Sequence, residues 1–201
     1  MLTRIKKKVQ AMLASEARAA YKLGLTPNMV SFIGLILALL SAVVYAVAQN
    51  GYFWILLAVI LLLVSGFCDA LDGIIARLHQ KISIFGEFLD SLLDRYADAT
   101  VYGGVIIGGL CDPIWGLAAL VGSMLVSYSR AKAEKAEIPM ESVGLAERAE
   151  RILILSAASI AAIFWFPALN VGIIFLAVLS NLTVLQRGIH VYYELKKKTT
   201  V

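Results

Sequence analysis

Asp69, Asp72, Glu87, Asp90, Asp94 and Asp98 lie within two otherwise apolar runs of the chain. A carboxylate at the middle of a bilayer costs about 2.5–3.5 kcal/mol on insertion scales, so such groups face a cavity, a partner or an ion. Asp69 and Asp72 are spaced i, i+3, and Gly86, Asp90 and Asp94 are spaced i, i+4, i+8, which places each set on one stripe of a helix. Two antiparallel helices can then aim the carboxylates of Asp69, Asp72, Asp90 and Asp94 at one point. A cation relieves their mutual repulsion, and hard oxygen donors select Mg²⁺, Mn²⁺ or Ca²⁺ over zinc or copper. Gly73, Ala76 and Gly86 leave room beside the cluster, and Arg77 adds a positive charge suited to a phosphate. On spacing alone, metal-assisted phosphate chemistry stands beside ion or proton transport and beside simple pairing of a carboxylate with Arg95 or Arg77.

The elements that carry these residues belong in a membrane. The chain has 201 residues, 60% of them hydrophobic, and a mean hydropathy of +0.83, more apolar area than a soluble domain of this size can bury. A span needs about 20 mostly apolar residues. Six stretches qualify, near 29–49, 52–76, 84–110, 113–133, 147–166 and 168–193, separated by Asn50-Gly51, Asp112-Pro113 and Pro167 with Asn170 on one side of the membrane. Lysine and arginine crowd the N-terminal lead, the turns near residues 80 and 140, and the C-terminal tail, while the turns near 50, 112 and 167 have none. The positive-inside rule puts both termini and the acidic cluster on the cytoplasmic side of the cell membrane, with Trp54, Trp115 and Trp165 in an aromatic belt on the other side.

The lead itself is patterned. Leu2, Ile5, Val9, Met12 and Leu13 recur at three- and four-residue spacing among basic residues, as in a helix lying on an anionic membrane surface. The run from Met29 to Ala48 is long enough to span and is read as an uncleaved helix rather than a signal peptide. Cys68 and Cys111 fall near opposite membrane faces, which sets aside a disulfide, and they have no metal-binding spacing. The expectation is an all-α integral membrane protein: one domain, with an amphipathic juxtamembrane helix in 1–25 and six transmembrane helices in 26–195. Membrane lipid is its expected surrounding partner, with no nucleic acid.

The pattern D-x2-D-G-x2-A-R-x8-G-x3-D-x3-D, formed by Asp69, Asp72, Gly73, Ala76, Arg77, Gly86, Asp90 and Asp94, resembles the signature of the CDP-alcohol phosphotransferases without departure. The resemblance implies two Mg²⁺ ions, with Mn²⁺ as an alternative, held by Asp69, Asp72 and Asp90 and by Asp69, Asp90 and Asp94. It implies transfer of a phospho-alcohol group from a CDP-linked donor to a hydroxyl, with release of CMP and with Asp94 as general base. It assigns Asn28, Met29, Val30 and Ser31 at the start of the first span, together with Gly73, Ala76, Arg77 and Ser83, to the CDP-lipid. It also implies a homodimer.

The segment after the fourth span, with Arg130, Lys132, Arg148 and Arg151, and Arg187 in the sixth span, is similar to phosphatidylinositol-phosphate synthases and their archaetidylinositol-phosphate counterparts. That likeness implies inositol 1-phosphate as acceptor, its doubly ionised phosphate held by those five cations. Glycerol 3-phosphate is the nearest rival acceptor, and cation or proton transport the rival from another class. Composition does not separate a diacylglycerol donor from an archaeol donor, and Glu87 and Asp98 have no assigned role.

Overall fold

A computed structural model describes residues 13–140 and 143–199, and among these every regular element is helical. A helix over residues 13–22 (α1) precedes α2 (Pro27–Ala46), α3 (Tyr52–Leu78), α4 (Ile84–Ile107), α5 (Pro113–Lys135), α6 (Arg148–Phe164) and α7 (Ala168–Thr199), with one 3-10 turn at Ala48–Asn50. The helices begin where local chemistry supplies a cap. Thr26 Oγ1 accepts from Met29 N–H at 3.3 Å before Pro27, Ser83 Oγ accepts from Gly86 N–H at 3.0 Å, and Asp112 accepts from Ile114 N–H at 2.9 Å before Pro113.

Among the described residues α2, α3, α5 and α7 are long and apolar enough to cross a bilayer. α6 has 17 residues, short of a full span, and α4 has 24 but interrupts its apolar face with Glu87, Asp90, Asp94, Arg95 and Asp98. Large apolar side chains stay exposed around the outside, among them Phe32, Ile36, Val43, Ile60, Leu117, Val121, Phe175 and Val178. Exposure on that scale matches a hydrocarbon solvent rather than water. Trp54, Trp115 and Trp165 are all exposed near the uncharged turns.

α2 is the hub of one half of the bundle, packed against both α3 and α4. α7 is the hub of the other, packed against α5 and α6, and the halves join through α3 with α6 and α4 with α5. α3 and α4, which carry the acidic residues, therefore both pack on α2. Small and hydroxyl residues allow the close contacts. Ser41 Oγ donates to Ala58 O and Ser65 Oγ to Gly34 O, both at 2.8 Å, and Tyr45 shares a 2.9 Å hydrogen bond with Ser159.

α1 is seated on protein along its described length. Ala17 and Ala20 are buried against Val30, Cys68, Leu71, Ile74 and Ile75, and the Tyr21 ring stacks on His79 at 3.6 Å between centroids. Leu2, Ile5, Val9 and Met12, the rest of the expected apolar stripe, lie outside the described residues.

α4 approaches α2 most closely at Gly104, where an added Cβ would overlap the carbonyl of Ala42, whereas a Cβ on neighbouring Gly103 would meet nothing within 4 Å. Gly104→Ala should therefore cost about 1–3 kcal/mol by forcing the two helices apart. Gly103→Ala should leave stability unchanged or raise it by up to about 1 kcal/mol through helix propensity. Thermal unfolding of the two variants in the same detergent checks the contrast.

Candidate metal and phosphate site

The end of the bundle that carries the acidic residues contains a cleft of about 230 Å³ lined by Ser31, Gly34, Asp69, Asp72, Asp90, Asp94 and Arg148. α3 supplies Asp69 and Asp72 about two turns before its end, and α4 supplies Asp90 and Asp94 in its second and third turns. Asp69, Asp72 and Asp90 each offer a carboxylate oxygen within 4.8 Å of the other two, a spacing that one small cation can bridge. Asp72 is the most enclosed, at 5% exposure, and accepts a hydrogen bond from Ser31 Oγ of α2. That bond fixes the carboxylate's orientation in the way outer partners orient metal ligands.

Asp94 stands beside this trio but is engaged differently. Arg148, the first residue of α6, places Nη1 2.8 Å from Asp94 Oδ1 and 2.7 Å from Asp69 Oδ2. Its Nε lies 3.2 Å from Asp98 Oδ1. Asp98 in turn accepts from Arg151 Nη2 at 2.7 Å and from Ser123 Oγ at 2.9 Å, so one carboxylate ties α4, α5 and α6 together. Arg95 adds a longer contact to Asp94, 3.4 Å. Asp98, which had no role assigned from the sequence, is the carboxylate that anchors both arginines. The signal for it was present, because Asp98 continues the i, i+4 stripe of Asp90 and Asp94. Glu87 is exposed at the start of the same helix.

The residues assigned to a CDP-lipid gather around the cleft only in part. Asn28, Ser83 and Gly86 adjoin one another, since a Cβ on Gly86 would stand 2.9 Å from Ser83 Oγ and 3.6 Å from Asn28 Oδ1. The Arg77 guanidinium folds over Gly73, within 3.5 Å of where a Cβ would sit, and is exposed. Ala76 is half-buried on the same helix and Met29 is exposed. Val30 turns its side chain into the core with Cys68 and Leu71.

The five cations assigned to an acceptor phosphate are divided. Arg148 and Arg151 enter the acidic cluster, and Arg151 also donates to Ala146 O at 2.9 Å. Arg187 is buried, with Nε donating to Val143 O at 2.8 Å and Nη1 to Val126 O. Arg130 pairs with Glu134 at 2.8 Å, and Lys132 sits 5.7 Å from the Tyr128 ring centroid. Arg187 thus braces the segment that leads into Arg148, and Thr183 Oγ1 adds a bond from Leu145 N–H at 3.2 Å.

A profile of the CDP-alcohol phosphatidyltransferase family matches residues 24–185. The chain is 40% identical over 198 residues to the archaetidylinositol phosphate synthase of Pyrococcus horikoshii, covering 98% of each protein. It is 35% identical over 190 residues to the phosphatidylinositol phosphate synthase of Cutibacterium acnes, covering 87% of this chain and 89% of that one. Among solved structures, the Mycobacterium tuberculosis phosphatidylinositol phosphate synthase with CDP-DAG bound superposes with a TM-score of 0.78 at 29% identity, over 90% of this chain and 94% of that one. The same enzyme in complex with manganese and citrate also gives 0.78, covering 90% of this chain and 88% of that one at 29% identity.

The Ser31–Asp72 bond sets an expectation for metal affinity. Ser31→Ala should weaken Mn²⁺ binding by about 10-fold, at the lower end of the usual effect of removing an outer partner, while Ser31→Thr keeps the hydroxyl and most of the affinity. Calorimetric titration of Mn²⁺ into the purified variants measures both.

Proposed function

The chain belongs to the CDP-alcohol phosphatidyltransferase family, and from that premise we propose that it transfers a phosphatidyl-type group from a CDP-lipid to the hydroxyl of inositol 1-phosphate, releasing CMP. It is a membrane-embedded transferase of phospholipid biosynthesis. The observation that carries the reading is the convergence of Asp69, Asp72 and Asp90 oxygens within 4.8 Å in an otherwise apolar bundle. A donor set made only of carboxylates fits Mg²⁺ or Mn²⁺, and the relative that was solved with manganese supports the same class of ion. Asp69, Asp72 and Asp90 would hold one ion, and Asp69, Asp90 and Asp94 would contribute to a second. Transport, which the acidic stripe alone had left open, gives way to the family's transferase chemistry.

When bound, the divalent ions neutralise the diphosphate and stabilise the charge that develops on the departing CMP. The chain's own residues do the remainder. Arg77, exposed over Gly73, would contact donor phosphate, and Asn28 and Ser83, which adjoin Gly86, would meet the rest of the donor. Asp94 accepts the proton of the acceptor hydroxyl as its oxygen bonds to the lipid-bearing phosphorus. The bond from that phosphorus to the bridging oxygen breaks, and CMP leaves with the electron pair, an in-line displacement governed by positioning and electrostatics. Arg148 contacts Asp94 and Arg151 contacts neighbouring Asp98, and with Arg130, Lys132 and Arg187 they would form the basic end of the bundle to which an acceptor phosphate is drawn.

The relatives named for phosphatidylinositol phosphate and archaetidylinositol phosphate support an inositol phosphate acceptor and leave the donor as a diacylglycerol or archaeol CDP-lipid. The CDP-DAG-bound relative supports a CDP-lipid donor. We extend the proposal to six spans, with α4 and α6 crossing as well because their short or charged faces are turned to protein, and with both termini and the site in the cytoplasm. Two copies pair.

An acceptor screen tests this proposal. CMP release from labelled CDP-lipid should require Mg²⁺ and should be fastest with inositol 1-phosphate, ahead of glycerol 3-phosphate, inositol and serine. A preference for glycerol 3-phosphate would overturn the acceptor assignment. Asp94→Asn should lower turnover by about 10²–10⁴-fold, the usual contribution of a general base, with donor binding retained.

A further inference from the structure

Arg148 Nη1 is shared between two carboxylates with different assigned tasks. Asp69, at 2.7 Å, is one of the three aspartates spaced for a metal ion, and Asp94, at 2.8 Å, is the proposed base. A dication held by Asp69, Asp72 and Asp90 and a guanidinium this close to Asp69 repel each other, and both draw on the Asp69 carboxylate. The guanidinium is also tethered at its other end, through Nε to Asp98, which is itself locked by Arg151 and Ser123. Nη1 is thus the end that can exchange partners while the side chain stays anchored.

We propose that Arg148 is a built-in competitor of the catalytic metal. It shares Asp69 with the ion and occupies Asp94, so that metal binding pushes Nη1 away and releases Asp94 for the acceptor hydroxyl. The inference rests on the metal-dependent transferase reading above and adds to it an ordered coupling. The base becomes available only in a site that already holds metal, and the displaced guanidinium is then free to meet the acceptor's phosphate. Arg148 acts here as a positioning residue, and Asp98 positions it in turn.

Mn²⁺ titration into the full chain in detergent, with no donor or acceptor present, gives a direct test, read from the free-Mn²⁺ paramagnetic resonance signal. Arg148→Gln removes the competing charge and should bind Mn²⁺ about tenfold more tightly than the wild type. Arg148→Lys keeps a charge but loses the fork that spans Asp69, Asp94 and Asp98, and should show a smaller gain. It also covers the case in which the glutamine variant does not fold. Equal or weaker Mn²⁺ binding in a variant with wild-type helicity overturns the proposal, because a residue that merely braces the site would weaken the metal when removed. CMP release does not enter this measurement, so a wrong acceptor leaves its result untouched. Conversely, intact Mn²⁺ binding with no CMP release from any CDP-lipid would remove the functional reading and spare this one.

Discussion

Asp69, Asp72, Asp90, Asp94 and Asp98 are drawn into one end of a bundle whose outer face is hydrocarbon, and five negative charges there require compensation by positive charge at short range. The structure supplies it from α6. Arg148 reaches Asp69, Asp94 and Asp98 at once, and Arg151 completes the pairing of Asp98. Asp72 and Asp90 have no such partner among the described ion pairs and, with Asp69, keep the spacing that suits a divalent ion. The site is therefore divided into a carboxylate half matched to metal and a carboxylate half matched to arginine, with Asp69 common to both.

This division explains why elements far from the cleft matter to it. α2 packs against both α3 and α4, and its Ser31 reaches Asp72 of α3. The segment before α6 is held in turn by α7. Arg187 binds Val143 O, Thr183 accepts from Leu145 N–H, and Arg151 turns back to Ala146 O. Gly144 sits in that segment with φ +124 and with Thr183 packed against it, a backbone shape that side chains rarely adopt. Bracing of this kind fixes where α6 starts and hence where Arg148 points.

Most of the metal half was legible in the sequence, because ligands within one helix are set by local periodicity. The i, i+3 and i, i+4 spacings from Asp69 to Asp94 are independent of tertiary contacts, and capping by Thr26, Ser83 and Asp112 marks helix starts within a residue or two of the expected ones. Helix ends were less exact. The third span was read to residue 110, but α4 stops at Ile107, where Gly108 closes the last turn and Gly109 takes φ +62. The arginine half was not legible, because it depends on contacts between distant segments. Ser31 and Asp72 are 41 residues apart, and Arg151 and Asp98 are 53 apart. Arg187 illustrates the limit. A charge inside an apolar run signals function or pairing, and spacing cannot tell a phosphate ligand from a guanidinium spent on the carbonyls of Val126 and Val143.

The central claim is that Asp69, Asp72 and Asp90 together hold one divalent ion. The most direct measurement is a crystal structure of the protein grown with Mn²⁺, with diffraction recorded at the manganese absorption edge. The account predicts an anomalous peak between α3 and α4 within coordination distance of one oxygen from each of these three aspartates. Manganese bound only away from these three aspartates, or carboxylates turned away from one another with no peak between them, would contradict it.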